Sequence, residues 1–108
     1  MELRKVTAVI RSKMLKQVED RLQEMKVKGL SVSNVKGFGE YENFFTHDWN
    51  ITHSRIEIFT EKSKAEEIAR VILETAHTGK AGDGFIAVLP VEKLYRIRNK
   101  AEARIDEM

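Results

Sequence analysis

From residue 3 to residue 10 the chain alternates, with Val6, Ala8 and Ile10 on one parity and Leu3, Thr7 and Val9 on the other. β-Branched residues crowd this run, which predicts a buried strand. The period then changes. Leu15, Val18, Leu22 and Met25 recur every three or four positions among Lys, Glu, Asp and Gln, the pattern of an amphipathic helix. Ser12 is placed to cap its start, and Gly29 to stop it. Alternation returns over residues 30–36 and is broken by Gly37-Phe38-Gly39. No period holds over 40–52, which reads as a loop. Residues 53–60 return to strand, with Ile56 and Ile58 on one face and Arg55, Glu57 and Phe59 on the other. Ser63-Lys64-Ala65-Glu66 has the form of a capping box. Ala65, Ile68, Ala69, Ile72 and Ala76 then share one helical face, with Gly79 as its end. Gly79, Gly82 and Gly84 make a turn, residues 85–89 an apolar strand halted by Pro90, and Tyr95-Arg96-Ile97-Arg98 alternates like a short edge strand before a charged tail.

The order is strand-helix-strand-strand-helix-strand. It predicts an α+β, ferredoxin-like βαββαβ domain over residues 1–108, a four-stranded antiparallel sheet with both helices on one face. Parity adds a consequence. Ile86 and Val88 point opposite to Phe85, Ala87 and Leu89, so both faces of the last strand are apolar, as on the first strand. Two helices cover one face only. Leaving the other wet forfeits roughly 25 cal/mol per Å² and exposes a patch unusual in monomers. Self-association would bury it; so would a tail folded across it.

The length, 108 residues, supports one domain. Nineteen Lys and Arg against 17 Asp and Glu leave a net charge of +2, too even for a protein that coats nucleic acid or anionic lipid. The charge is unevenly placed: +5 over residues 1–36, −4 over 37–61. With no cysteine, disulfides, thiolate zinc sites and cysteine nucleophiles are excluded. No apolar run approaches ~20 residues, and Met1-Glu2-Leu3-Arg4-Lys5 does not open a signal peptide. The expectation is a cytoplasmic domain that does not insert into membranes.

Catalytic motifs are missing: there is no HExxH, GxSxG, DxDxDG or Walker sequence. An anion site is better supported. The glycines of the 78–84 turn let backbone N–H groups approach a ligand. The turn follows a helix C-terminus, where the macrodipole disfavours anions, so cations are needed. Arg96 and Arg98, two apart on a strand, would share a face roughly 6–7 Å apart and suit phosphate oxygens. An ordinary turn with two solvated arginines fits the same spacing. Lys36-Gly37-Phe38-Gly39 is similar to the start of an RNA-recognition motif, but Glu40-Tyr41-Glu42-Asn43 follows in an acidic block that repels phosphodiesters, so nucleic acid is not expected. Tyr41, Phe44, Phe45 and Trp49 are four of the eight aromatics. They either fold back on the protein or anchor a partner. His47, Asp48 and His53 are weak metal-ligand candidates with no recognised spacing, and His77 stands where it can satisfy a helix end.

Three segments together resemble the PII nitrogen-regulatory signalling proteins: Gly29-Leu30-Ser31-Val32-Ser33-Asn34-Val35-Lys36-Gly37-Phe38-Gly39, Thr75-Ala76-His77-Thr78-Gly79-Lys80-Ala81-Gly82-Asp83-Gly84, and Tyr95-Arg96-Ile97-Arg98. The resemblance implies a ferredoxin-like homotrimer with adenine nucleotide in clefts between subunits and no catalytic turnover. It also implies a T-loop, here 40–53, that docks on a membrane transporter or cytosolic enzyme. Carried over by position, Gly37, Phe38 and Gly39 are nucleotide-proximal and Gly82, Asp83 and Gly84 form the phosphate-side loop. Arg96 and Arg98 are a cross-subunit phosphate clamp, and Val9, Ser31, Glu57 and Phe59 surround adenine and ribose, with serine and phenylalanine changed from the usual residues.

The departures narrow the expectation. Glu40-Tyr41 replaces the family's Arg-Gln, whose glutamine helps hold magnesium and 2-oxoglutarate, so that site looks lost. Phe85 stands where a lysine follows Gly-Asp-Gly, and His53 where a loop lysine reaches the metabolite. The loop is about seven residues shorter than is usual in the family and has no counterpart to the family's modifiable tyrosine. Fewer phosphate-side cations favour AMP or ADP over ATP. The alternative is a trimeric metal-ion or small-anion binder, for example of bicarbonate, linked to transport, with His47, Asp48 and His53 as ligands; phosphoester chemistry is a third possibility.

Overall fold

In the computed structural model, which describes residues 2–36 and 52–104, the first alternating run is a nine-residue strand, β1 (Leu3–Arg11). A 3₁₀ turn (Ser12–Met14) leads into α1 (Leu15–Glu24). Then come β2 (Ser31–Val35), β3 (His53–Glu61), α2 (Lys62–Ala76) and β4 (Gly84–Val91). A small hairpin follows, β5 (Tyr95–Arg96) with β6 (Ala101–Glu102). The main sheet has the order β2-β3-β1-β4, every pair antiparallel. This is the α+β ferredoxin-like arrangement that the element order predicts.

One face of the sheet carries the core. Val6, Ala8, Ile10, Ile56 and Ile58 meet Val18 and Leu22 of α1 and Ala65, Ile68, Ile72 and Ala76 of α2. Each larger side chain contributes about 1.5–3 kcal/mol by leaving water. The residues are those whose strand parity and helical spacing mark them as inward. On the opposite face, Val9 is 1% exposed, while Phe59, Phe85 and Leu89 remain about 40% exposed. That face carries an apolar patch beside the Lys5–Glu57 pair, and among the described residues the patch is only partly covered.

Several local expectations are corrected. Ser12 does not cap α1; its hydroxyl bonds the Ser54 hydroxyl at 2.7 Å and its N–H donates to the Thr52 carbonyl. The Ser63 to Glu66 capping box does not form, because α2 starts at Lys62 directly after β3, with the Lys62 N–H donating to the Glu2 carbonyl. α2 closes at Ala76, so Gly79, at φ +84, belongs to the turn beyond. β4 runs through Pro90 to Val91; it is an edge strand, where a missing N–H is tolerated. β3, by contrast, begins at His53, where the alternation predicts it, so the 40–53 loop implied by the resemblance overlaps the strand by this one residue.

Gly29 does not stop α1 either. Lys26 does, at φ +63, with the Val27 N–H donating to Leu22 and the Lys26 N–H to Gln23. These two bonds make a Schellman motif with lysine at the left-handed position usually held by glycine. A side chain there is strained. Lys26→Gly is therefore expected to stabilise the fold by about 1 kcal/mol, read as a higher denaturation midpoint at unchanged m-value.

Candidate functional site

Four strand and turn segments converge at the C-terminal end of β1. β4 begins at Gly84, opposite Ile10, so the preceding Asp83 arrives beside Arg11. Arg11 is 5% exposed, and a guanidinium so buried needs acceptors. It has two: Nε donates to Asp83 Oδ1 at 3.1 Å, and a terminal nitrogen donates to the Ala81 carbonyl at 2.6 Å. His53 pairs with Arg11 across β1 and β3 and is 2% exposed. Its Nε2 donates to the Gly82 carbonyl at 2.7 Å. Two buried donors thus hold consecutive carbonyls of the glycine turn.

Asp83 organises the rest of the turn from within. Its Oδ2 accepts the N–H groups of Thr78 and Gly79, each at 2.9 Å, and Oδ1 accepts the Thr78 hydroxyl as well as Arg11. The Lys80 N–H donates to Thr78 Oγ1. Burial alone would raise the Asp83 pKa, but the Thr78 hydroxyl, the two backbone donors and Arg11 outweigh it and hold the carboxyl well below the usual range. Asp83 is therefore an internal anion that shapes the turn. Its oxygens are engaged by the protein.

The nominated residues fall into two groups. Val9 lies opposite Phe85, and it lines a small cavity of about 80 Å³ with Asp83 and Gly84, beside the glycine turn. Ser31, opposite Glu57 in the β2–β3 register, lines a cavity of about 520 Å³ together with Glu57, Phe59, Tyr95 and Arg96. Lys5 pairs with Glu57 at 2.5 Å and sits over the Phe59 ring. Gly84 lies opposite Ile10, whereas Phe59 lies opposite Lys5 and β4 ends opposite Leu3. At ~3.3 Å per residue Phe59 lies about 17 Å along the sheet from Gly84, and the end of β4, beyond which Arg96 follows, about 23 Å, while Glu57, opposite Thr7, is only about 7 Å from the level of Val9. A single chain does not bring its arginines to its own glycine turn.

The arginine pair is also corrected. Arg96 lies in β5, but the chain turns at Ile97 to Lys100, with Lys100 at φ +54, so Arg98 sits in the turn and the two do not share a strand face. Among the described residues, no three His, Cys, Asp or Glu side chains gather to hold a metal, and His53 is committed to Gly82. Gly37, Phe38, Gly39, Tyr41, Phe44, Phe45, His47, Asp48 and Trp49 lie outside the described residues. Sequence reasoning missed Arg11. The available signal was a charge on the same parity as buried Val9, which demands a partner.

Among the described residues no helix is long and apolar enough to cross a membrane. A family profile, Nitrogen regulatory protein P-II, matches residues 3–101. A nitrogen regulatory protein P-II from Azospirillum brasilense is 35% identical over 104 residues, 89% of this chain and 92% of that protein. A P-II homolog from Arabidopsis thaliana is 33% identical over 117 residues and 96% of this chain, which spans 60% of that longer relative. The crystal structure of Arabidopsis thaliana PII bound to citrate superposes with a TM-score of 0.78 at 33% identity, over 94% of this chain and 89% of that one. The chain belongs to the nitrogen regulatory protein P-II family, and so to a group of signalling regulators that are not enzymes.

Proposed function

We propose that three copies of this chain assemble around the partly covered sheet face and bind an adenine nucleotide in each seam. Val9 and the Gly82-Asp83-Gly84 turn of one protomer form one wall. Ser31, Glu57, Phe59, Arg96 and Arg98 of its neighbour form the other. The observation that carries this reading is that the glycine turn and Arg96 lie at opposite ends of β4, about 23 Å apart along the strand, and line different cavities. Phe59, Phe85 and Leu89 are the apolar surface that assembly would bury. The citrate on the Arabidopsis relative is a polyanion, consistent with a site that accepts negative charge.

AMP or ADP is the favoured ligand. Phe85 supplies no cation after the turn, and Arg11 is neutralised by Asp83. Nucleotide state is passed to a membrane transporter or cytosolic enzyme through residues 40–53, whose aromatics supply contact area. Differential contacts in two loop states transmit the signal. Replacing both Arg96 and Arg98 by alanine is expected to reduce ADP affinity at least 100-fold by calorimetry, the scale of losing charge-assisted phosphate contacts. Light scattering should find the trimer unchanged. Undiminished affinity would refute the assignment.

A further inference from the structure

We propose that Arg11 and His53 are positioning residues that set the polarity of the glycine turn, aiming the N–H groups of Gly82 and Asp83 at a ligand phosphate. The inference rests on the nucleotide reading above and names what makes that turn able to accept an anion.

The argument follows from peptide geometry. In a trans peptide unit the C=O and the following N–H point in opposite directions, and the described residues contain no cis bond. The Ala81 carbonyl and the Gly82 N–H belong to one unit; the Gly82 carbonyl and the Asp83 N–H belong to the next. Arg11 draws the first carbonyl and His53 the second, from buried positions on neighbouring strands. Both N–H groups are thereby turned to the opposite side. Among the described residues, none of the side-chain hydrogen bonds that hold the turn uses either N–H group. The N–H groups of Thr78 and Gly79 are already taken by Asp83, so they do not compete for a ligand. Gly82 adopts φ +95, a conformation that a side chain would strain, so glycine permits the rotation while the two donors select it.

Without these donors the two peptide units are free to rotate, and a carbonyl turned outward repels a phosphate. The charge of Arg11 is a separate matter, since it is paired with Asp83 at 3.1 Å. His53 gives the cleaner test because its replacement leaves the Arg11–Asp83 pair in place.

The experiment compares ADP and adenosine affinities, by calorimetry and NMR titration, for the full chain and for His53→Leu, His53→Gln and Arg11→Lys. A residue that merely stabilises the fold would weaken both ligands alike. The expected result is a 10- to 100-fold loss of ADP affinity in His53→Leu, the scale of one well-aimed hydrogen bond to a charged group, with adenosine unchanged. His53→Gln, whose amide also donates to a carbonyl, should recover most of the ADP affinity. Arg11→Lys keeps the charge but lacks the fork that serves two acceptors, and should lose ADP selectively; it carries the test if His53→Leu does not fold. An ADP-to-adenosine ratio unchanged in both variants overturns the proposal and leaves the nucleotide site standing. Failure of the unmodified chain to bind ADP overturns the nucleotide reading, and this inference with it.

Discussion

Alanine at Gly84 is expected to leave little of the chain folded. Gly84 sits at φ +98, in a region that L side chains rarely adopt. A Cβ there would lie 1.8 Å from the Val9 carbonyl oxygen and 2.8 Å from its carbon. Both are main-chain atoms of the central strand, so no side chain can swing away to relieve the overlap. The first residue of β4 would have to leave its place opposite Ile10, taking Asp83 away from Arg11. Strain and lost pairing together cost on the order of 4 kcal/mol or more, against a total of about 5–15 kcal/mol for a domain. Urea unfolding followed by circular dichroism measures it. A variant within 1 kcal/mol of the parent would mean that β1 and β4 do not approach as closely as described.

The second large effect belongs to Asp83. Asp83→Ala removes the acceptor for Thr78, Gly79 and Arg11 together, and strands a guanidinium that is 5% exposed. Breaking a buried pair from one side costs about 3 kcal/mol, and the turn loses its shape, so ADP binding should disappear as well. The pH dependence has a definite sign. The folded-state pKa of Asp83 lies below its unfolded value. Its stabilisation is therefore full above the unfolded carboxylate pKa of about 4, and drains away as pH falls through the folded value. Urea titrations from pH 7 to pH 3 should find the stability gap between parent and Asp83→Asn narrowing only below about pH 4. A gap that stays constant across that window would contradict the ionised, hydrogen-bonded carboxylate.

The architecture was legible because its signals are periodic. Val6, Ala8 and Ile10 face inward by strand parity, and Val18, Leu22, Ile68 and Ile72 by helical spacing, and neither pattern depends on distant residues. Local stop and start signals were less informative. Lysine, not glycine, occupies the left-handed position after α1, and α2 begins by donating a hydrogen bond to the carbonyl of Glu2, sixty residues earlier in the chain. Tyr95 to Arg98 alternates as a strand would, yet a four-residue turn begins at Ile97 because β6 folds back on β5. The site was half legible. Ser31, Glu57, Phe59 and Arg96 line one cavity, while Val9, named with the first three, lines another. Arg11 and His53 act through a register between three strands and a turn, which no spacing within the sequence encodes.

Complementation between two defective chains tests the shared seam most directly. One chain carries Arg96→Ala with Arg98→Ala and keeps its glycine turn; the other carries Asp83→Ala and keeps its arginines. Each alone should fail to bind ADP, whereas co-expressed mixed assemblies should recover one intact site each by calorimetry. Mixed assemblies that stay silent, beside an unmodified protein that binds, would contradict a pocket built from two protomers.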